Sequence, residues 1–143
     1  MYDQSVKSVI RRGSLVRVAP DSLVTEAAKL MVRKVVGAVV VLDADRLVGI
    51  FTERDIAYRV VAEGRDPGAT RVAEVMTANP ETVEAGKPFG YALHRMQSRG
   101  FRHMPVVDGG KVVGIVSSRS AMDPALEEFV HEANRRKHYE KTR

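Results

Sequence analysis

The sequence contains no cysteine and no tryptophan, and aromatic residues make up only 6% of its 143 residues. Without cysteine, disulfides, thiolate chemistry and cysteine-based zinc sites are excluded. No apolar run approaches the ~20 residues that cross a membrane. The first eight residues contain Asp3 and Gln4 rather than the apolar core of a signal peptide. We therefore expect a cytoplasmic protein with no membrane partner.

The residues that are present suit a folded α/β protein. Apolar residues make up 44% of the chain and charged residues 29%, and the apolar side chains are mostly Val, Ala, Leu and Met. The formal net charge of +5 favours anionic partners such as nucleotides or nucleic acid. Part of this charge is concentrated near the end of the sequence, in Arg135, Arg136, Lys137, Lys141 and Arg143.

An internal repeat organises the chain. A shift of 65 residues brings two halves into register without a gap, and it places 48–50 on 113–115, both of which read Val-Gly-Ile. Other identical pairs are Val18 with Val83, Ala27 with Ala92, Met31 with Met96, Val41 with Val106, Asp43 with Asp108 and Arg54 with Arg119. Since the order of helix and strand patterns is also kept, we expect two copies of one structural unit.

Each half predicts an extended segment, a helix, two strands and a second helix. In the first half these are 16–18, a helix capped by Asp21 or Ser22, the strands 38–42 and 47–51, and a helix over 53–62. In the second they are 81–83, a helix with Pro88 in its first turn and a stop at Gly100, the strands 104–107 and 111–116, and a helix from about Ser118. The strands are almost wholly apolar, which predicts that helices bury both of their faces.

The same patterns predict the domain organisation. Residues 1–71 form the first repeat and a linker (63–71), 72–123 form the second repeat, and 124–143 form a C-terminal helix and a basic tail. A repeat of ~60 residues buries little core alone. We therefore expect an α/β fold in which two βαββα repeats, related by a pseudo-two-fold axis, pack through their sheets and leave two equivalent clefts.

The segment 49–55, Gly-Ile-Phe-Thr-Glu-Arg-Asp, carries the strongest chemical signal. It takes a strand directly into a helix, so Thr52 caps a helix whose free N–H groups favour an anion. Arg54 adds a charge-assisted bond to phosphate, and an ionised Asp55 accepts the two O–H groups of a ribose. Thr52 and Asp55 also have the spacing of a capping box, so helix capping alone is an alternative explanation.

This motif and three others resemble a tandem pair of CBS domains, a Bateman module of the stand-alone bacterial type, from about Val6 to Met122. The other motifs are Gly-Phe-Arg-His-Met-Pro-Val-Val-Asp at 100–108, Val-Gly-Ile-Val-Ser at 113–117 and Glu-Val-Met-Thr at 74–77. The resemblance implies a composite site with residues from both repeats, namely Thr52, Arg54, Asp55, Thr82, Arg102, His103 and Met104. It implies that Asp55 holds a ribose, and that Thr52, Arg54, Arg102 and His103 surround the phosphates of an adenosine nucleotide.

The companion cleft departs from this pattern. Ser120 stands at the position equivalent to Asp55, and Gly37 and Ala38 replace Arg102 and His103. We expect one competent site and one weak or empty one, in which Ser117 caps a helix. Whether Ser117, Arg119 and Ser120 bind anything stays open.

The resemblance implies a regulatory function rather than an enzyme. No nucleophile–base arrangement, carboxylate pair or metal cluster stands out in the sequence, and we expect no metal and no required cofactor. The implied ligand is AMP, ADP, ATP, NAD(H) or S-adenosylmethionine, and the implied partners are a second copy of the chain and an unknown effector protein. The alternative is nucleic-acid binding, or a ligand-free interaction scaffold, that uses the basic C-terminal helix.

Overall fold

The computed structural model of the chain describes residues 2–121 and 132–137. The α-helices there are α1 (Val6–Val9), α2 (Val24–Lys34), α3 (Glu53–Asp55), α4 (Val72–Val75) and α5 (Phe89–Arg99). The strands are β1 (Arg17–Val18), β2 (Ala38–Asp43), β3 (Arg46–Thr52), β4 (Thr77–Ala78), β5 (Val83–Glu84), β6 (His103–Asp108) and β7 (Lys111–Ser117). A π-helix (Ile56–Val61) follows α3, a 3₁₀ turn (Ser118–Ala121) follows β7, and 132–137 are helical.

The two halves form two sheets with the same connections. One sheet has the strand order β1-β2-β3-β4 and the other β5-β6-β7. In each sheet a short strand runs parallel to the first strand of an antiparallel hairpin. The hairpins match residue by residue, because Val40 faces Ile50 and Pro105 faces Ile115, and each hairpin has an irregularity at Val41 or at Val106. The predicted repeat and its four long strands are confirmed.

The strands are buried on both faces, but helices cover only one of them. Val39, Val41 and Phe51 pack in a core cluster with α2 and α4. The intervening side chains point the other way, and Ala38, Val40 and Ile50 form a separate cluster with Ile115 of the second sheet. The prediction of helices on both faces was therefore wrong for the face that carries Ala38, Val40 and Ile50. There the two sheets cover each other, as the predicted packing of the repeats through their sheets requires.

Each half is completed by the short helix that precedes the other half. Val6 of α1 is fully buried in the core of the second half, and its N–H donates to the Lys87 carbonyl at 2.8 Å. Val72 and Val75 of α4 are buried in the core of the first half. The N–H of Val72 donates to the Ser22 carbonyl at 2.8 Å. This exchange ties the two halves together beyond the contact between their sheets.

Glycine in the hairpins makes room for the exchanged segments. A Cβ atom on Gly49 would overlap the Met76 thioether and lie 3.1 Å from the Thr77 carbonyl oxygen. A Cβ atom on the repeat-equivalent Gly114 would lie 2.8 Å from Cδ1 of Ile10 and 2.9 Å from Oγ of Ser14. Gly49 is thus required by the close approach of a neighbouring stretch of chain.

The predicted helix starts need correction. Asp21 and Ser22 do not cap α2, because its N-cap is Leu23, whose N–H lies 3.4 Å from the Glu26 carboxylate oxygen Oε2. The linker caps the helix instead, since the N–H groups of Val24 and Thr25 donate to the carbonyls of Thr70 and Pro67 at 2.9 and 3.1 Å. These main-chain acceptors satisfy the helix end, and they come from residues distant in sequence.

The start of α5 follows the same principle. Pro88 is the N-cap, one position before the predicted first turn, and Gly100 ends the helix as predicted. The N–H groups of Phe89 and Gly90 donate to the carbonyls of Gln4 and Tyr2 at 2.7 and 2.9 Å. The N-terminal segment therefore caps this helix as the linker caps α2.

Two predicted helices take other forms. The helix expected over 53–62 has only one turn of α-helix and continues as the π-helix, in which the Ala62 N–H donates to the Ala57 carbonyl at 2.9 Å. The helix expected from Ser118 begins as a 3₁₀ turn. Of the predicted C-terminal helix, 132–137 are helical, with an ion pair between Glu132 and Arg136 at 3.0 Å. The rest of 124–143 lies outside the described residues.

The ends of α2 and α5 lead to a first stability prediction. Val35 and Gly100, equivalent in the repeat, both adopt the left-handed conformation, with φ of 55° and 77°. That conformation costs a non-glycine residue roughly 1–2 kcal/mol, whereas glycine adopts it freely. Because Val35 is 72% exposed and loses little packing, we expect Val35→Gly to raise the free energy of unfolding by about 0.5–1 kcal/mol.

Urea unfolding measures this difference. Arg33→Gly is the matched control, because Arg33 is exposed inside α2 and glycine there is expected to cost about 1 kcal/mol. If both variants were destabilised equally, the strain assigned to Val35 would be absent.

Candidate functional site

The starts of the two hairpins lie against the starts of the helical segments that follow them. The Glu53 N–H donates to the Gly37 carbonyl, and the Ser118 N–H donates to the Arg102 carbonyl, both at 3.0 Å. These bonds are equivalent under the repeat shift. They bring the residues before β2 and β6 beside the segments 52–55 and 117–120, where the candidate site residues lie.

Thr52 and Asp55 form a reciprocal cap. The Asp55 N–H donates to Thr52 Oγ1 at 3.2 Å, and the Thr52 N–H donates to Asp55 Oδ2 at 3.0 Å. The Thr52 hydroxyl lies 3.2 Å from the same Oδ2. The capping alternative is therefore realised, and it occupies one carboxylate oxygen. The other oxygen, Oδ1, lies 3.6 Å from Nε of Arg59.

Asp55 is a buried carboxylate. It is 7% exposed. Burial raises the pKa of Asp55, and the Thr52 hydrogen bonds and the charges of Arg59 and Arg54 partly oppose that rise. The fold thus keeps a carboxylate where a neutral side chain would be easier to bury. Such an arrangement is typical of functional positions.

Arg54 crosses between the halves. Its Nη1 donates to the Gly100 carbonyl at 3.1 Å, at the end of α5. Its guanidinium also lies 5.9 Å from the ring centroid of Tyr58. Arg102 and His103 follow Gly100 by two and three residues, and the charge of Arg54 acts on His103, so Arg54 of the first half lies near this part of the second.

His103 lies at the centre of a charged cluster. Its Nε2 and the Oε1 of Glu53 lie 3.4 Å and 3.1 Å from the point that a Cβ atom on Gly37 would occupy. Burial lowers the pKa of His103; Glu53 raises it, and the positive charges of Arg119, Arg102 and Arg54 lower it further. Among the residues that the structure describes, Glu53 is the one anion that acts on this histidine.

Of the three other residues predicted for the site, one lies in the core and two are exposed. Met104 is fully buried and packs in the core of the second half, so its side chain is a core side chain. Thr82 is exposed immediately before β5, and no hydrogen bond in the described part of the chain joins its side chain to Asp55 or Arg54. Arg102 is exposed beside His103.

The companion cleft keeps the cap but not the charge. The Ser117 N–H donates to Ser120 Oγ at 3.2 Å, which repeats the bond from Thr52 to Asp55. A neutral hydroxyl thus replaces the carboxylate. The charge of Arg119, the residue equivalent to Arg54, lowers the pKa of His103 in the charged cluster described above.

Sequence reasoning missed two residues that act on the site, and it left a third, Arg119, open as a residue of the companion cleft. Glu53 and Arg119 enter the charged cluster around His103, and Arg59 contacts Asp55. A signal existed for Arg59, because it follows Asp55 by four residues, the spacing at which a helix brings side chains together. For Arg119, the signal was its alignment with Arg54 under the 65-residue shift.

The pKa of His103 predicts how stability depends on pH. An unfolded histidine binds a proton near pH 6.5, whereas the folded chain holds the pKa of His103 lower. The unfolded state therefore takes up the proton first, and the contribution of His103 to stability is present above pH 6.5 and lost as the pH falls through it. The contribution of Asp55 to stability has the opposite pH dependence and lies at lower pH. Because the folded chain raises the pKa of Asp55 from 3.8, this contribution decreases as the pH rises.

We expect His103→Gln to flatten the fall in unfolding free energy between about pH 7.5 and 5.5, a range that spans the usual histidine pKa. Urea unfolding at three pH values measures it. His94 is exposed, so His94→Gln is the matched control and should retain the slope of the wild type. Equal slopes in all three proteins would contradict the prediction.

Among residues 2–121 and 132–137, no helix combines the length and apolar composition that crossing a membrane demands. In the same residues no group of three or more His, Asp and Glu side chains is placed to hold a metal ion.

The sequence is similar to known proteins over most of its length. It is 42% identical over 118 residues to the CBS domain-containing protein CBSCBSPB1 of Arabidopsis thaliana, which covers 81% of this chain and 22% of that protein. The chain thus spans about a fifth of the length of this relative. It is 39% identical over 100 residues to the CBS domain-containing protein YhcV of Bacillus subtilis, which covers 70% of this chain and 71% of YhcV.

Solved structures share the fold. A protein with CBS domains from Burkholderia ambifaria has a TM-score of 0.77 and 37% identity, covering 82% of this chain and 90% of its own. PAE2072 from Pyrobaculum aerophilum, complexed with AMP, has a TM-score of 0.76 and 26% identity, covering 90% and 99%. The CBS domain pair of MJ0100, in complex with 5′-methylthioadenosine and S-adenosyl-L-methionine, has a TM-score of 0.74 and 28% identity, covering 82% and 91%.

The family model of the CBS domain matches residues 6–62 and 72–125, one match for each half of the internal repeat. With the two matching hairpin sheets and the similar proteins, this shows that the chain belongs to the CBS domain family and contains a pair of CBS repeats.

Proposed function

We propose that this CBS pair is a regulatory module that binds one adenosine nucleotide where the two halves meet. The observation that carries the proposal is the bond from Arg54 of the first half to the Gly100 carbonyl of the second. It joins the Asp55 carboxylate and the Arg102–His103 pair into one region, with an acceptor at one end and arginine and histidine donors at the other.

The chemistry of the ligand follows from that separation of charge. Asp55 Oδ1 is not used by the cap and is available to accept O–H groups of a ribose. Arg54, Arg102 and His103 supply donors for phosphate oxygens. AMP, 5′-methylthioadenosine and S-adenosylmethionine, bound by the structural relatives, all contain an adenosyl group, with adenine on a ribose that keeps its 2′- and 3′-hydroxyls. This common part supports an adenosine ligand without selecting its phosphates.

One nucleotide per chain is proposed because the clefts differ. The cleft with Ser120 lacks the carboxylate, and Gly37 and Ala38 offer no side-chain donors where Arg102 and His103 stand in the other. Without a charged ribose acceptor, and with Arg119 lacking the paired donors that Arg102 and His103 provide in the other cleft, the binding energy there would be too small for a comparable affinity.

The proposed assembly is a homodimer that signals to a separate effector protein. CBS pairs associate through their helices, and here Val32 of α2 and Tyr58 and Val61 of the π-helix are 79%, 66% and 69% exposed. Large apolar side chains exposed on helices favour contact with a second copy. Sedimentation of the wild type and Val61→Lys tests this: a monomeric wild type would refute the dimer, and dissociation of the variant would place the contact.

A thermal-shift panel of AMP, ADP, ATP, NADH and S-adenosylmethionine tests the binding proposal. A ligand at 100 times its Kd stabilises the folded chain by about 2.7 kcal/mol, which is readily measured. Arg102→Gln should reduce the Tm shift that phosphate-bearing ligands cause. Arg33→Gln, at an exposed position of α2, should leave this shift unchanged. If no ligand raised the Tm, the nucleotide proposal would fail and a ligand-free interaction scaffold would replace it.

A further inference from the structure

Arg59 contacts two separate parts of the molecule, Asp55 and the end of α4. Its Nε lies 3.6 Å from Asp55 Oδ1. Its Nη1 donates to the Met76 carbonyl at 2.8 Å and lies 3.4 Å from the Val75 carbonyl. One planar guanidinium therefore holds both a buried carboxylate and the end of a helix.

That helix end lies at the connection between the halves. Helix α4 precedes the second half in sequence and packs in the core of the first. It leads directly into β4, which pairs with β3 through Ala78 opposite Gly49 and Thr77 opposite Ile50. Any change in the position of Arg59 thus reaches the stretch of chain that leads from one half to the other.

The contact is not a requirement of the repeat. Under the 65-residue shift, Asp55 matches Ser120 and Arg59 matches Pro124, so the second half lacks both partners. Arg59 also lies on the π-helix Ile56–Val61 rather than on a regular α-helix. Short π-helical segments occur frequently at functional sites. Both observations set Arg59 apart from the shared scaffold.

We propose that Arg59 is a positioning residue that holds the Asp55 carboxylate for the ligand and couples its occupancy to α4 and β4. This inference rests on the proposed nucleotide site. A ribose that donates to Oδ1 fixes the carboxylate, and the carboxylate in turn fixes the guanidinium. The guanidinium then holds the Val75 and Met76 carbonyls more firmly, so the segment 72–78 opens less often.

Hydrogen exchange with and without AMP tests the coupling. In the wild type, saturating AMP should slow exchange of the amides in 72–78. In Arg59→Gln, AMP affinity should fall by about three- to tenfold, which is modest because the side chain of Arg59 is 50% exposed. With AMP raised until occupancy equals that of the wild type, the slowing in 72–78 should be lost. Arg59→Lys should recover affinity, because it keeps the charge, but not the coupling.

Arg65→Gln is the matched control. Arg65 pairs with Glu74 of α4 at 2.7 Å and is not among the groups that act on Asp55. Its loss should speed exchange in α4 equally with and without AMP, and leave AMP affinity unchanged. A purely structural role for Arg59 would give this same pattern.

The affinity for AMP as a function of pH gives a second readout. Without Arg59 the pKa of Asp55 should rise further, since the Arg59 charge now lowers it. Affinity in Arg59→Gln should therefore decline at a higher pH than in the wild type, whereas Arg65→Gln should follow the wild type. Equal slowing in Arg59→Gln and the wild type at equal occupancy would overturn the inference alone. A wild type that bound no nucleotide would overturn the proposed function and this inference with it.

Discussion

Asp55→Asn is expected to weaken AMP binding by about 30- to 100-fold while leaving the chain folded. Asparagine removes the charge that strengthens hydrogen bonds from the two ribose O–H groups, and charge-assisted bonds are worth roughly 1.5–3 kcal/mol each. Part of that is retained because the amide NH2 group, which faces the ribose when the amide oxygen keeps the cap, can donate to a ribose oxygen. Calorimetric titration of the wild type and the variant measures the change.

The fold should survive this substitution for reasons visible in the structure. An asparagine amide oxygen can still accept from the Thr52 N–H, which Asp55 Oδ2 now does at 3.0 Å. Burial raises the pKa of Asp55, so the folded state disfavours its charge at neutral pH. Removing that charge should leave the free energy of unfolding unchanged or slightly higher at pH 7. Asp55→Ala removes the cap as well and should cost about 1 kcal/mol.

Ser120→Ala is the matched control. It alters the equivalent position in the companion cleft, where Ser120 accepts from the Ser117 N–H. AMP affinity should be unchanged in this variant. If Asp55→Asn bound AMP like the wild type, Asp55 would be a helix cap without a role in binding.

Gly49→Ala is expected to lower the free energy of unfolding by about 2–3 kcal/mol, the upper part of the range for overpacked interiors. The added Cβ atom would overlap the Met76 thioether and press on the Thr77 carbonyl oxygen at 3.1 Å. The flexible Met76 side chain can move aside. The Thr77 carbonyl cannot move as easily, because Thr77 belongs to β4, which is paired with β3. Relief therefore requires part of the exchanged segment to separate from the sheet. Urea unfolding followed by circular dichroism measures the loss.

Gly86→Ala gives the comparison. Apart from its chain neighbours, no atom of the described residues lies within 4 Å of a Cβ atom at Gly86, and its φ is not positive. We expect this variant to be as stable as the wild type or slightly more stable. If Gly49→Ala were equally harmless, the close approach of 76–77 to the sheet would not contribute to stability.

The repeat and its hairpins were predictable because they depend on local patterns. Apolar runs separated by turn residues fix the four long strands, and the left-handed end of α5 needs only Gly100. The exchange of α1 and α4 was not predictable. The apolar pattern of Val6 or Val72 shows that one face is buried, but not which half buries it. For the same reason the main-chain caps of α2 and α5 could not be foreseen.

The candidate site divides in a similar way. The cap between Thr52 and Asp55 follows from their spacing and was expected as one of two explanations. Met104 was assigned to the site by resemblance, whereas its side chain packs in the core. The contact of Arg59 with the Met76 carbonyl depends on a π-helix and an exchanged helix together. Neither of these has a sequence pattern of its own.

The number of nucleotides bound per chain tests the central proposal most directly. Calorimetric titration of the purified wild type with AMP, repeated with the nucleotide that gives the largest thermal shift, measures it. We expect one nucleotide per chain, because only one cleft combines a buried carboxylate with Arg54, Arg102 and His103. Two equal sites per chain would contradict the assignment of binding to these residues, since the cleft with Ser120 lacks them.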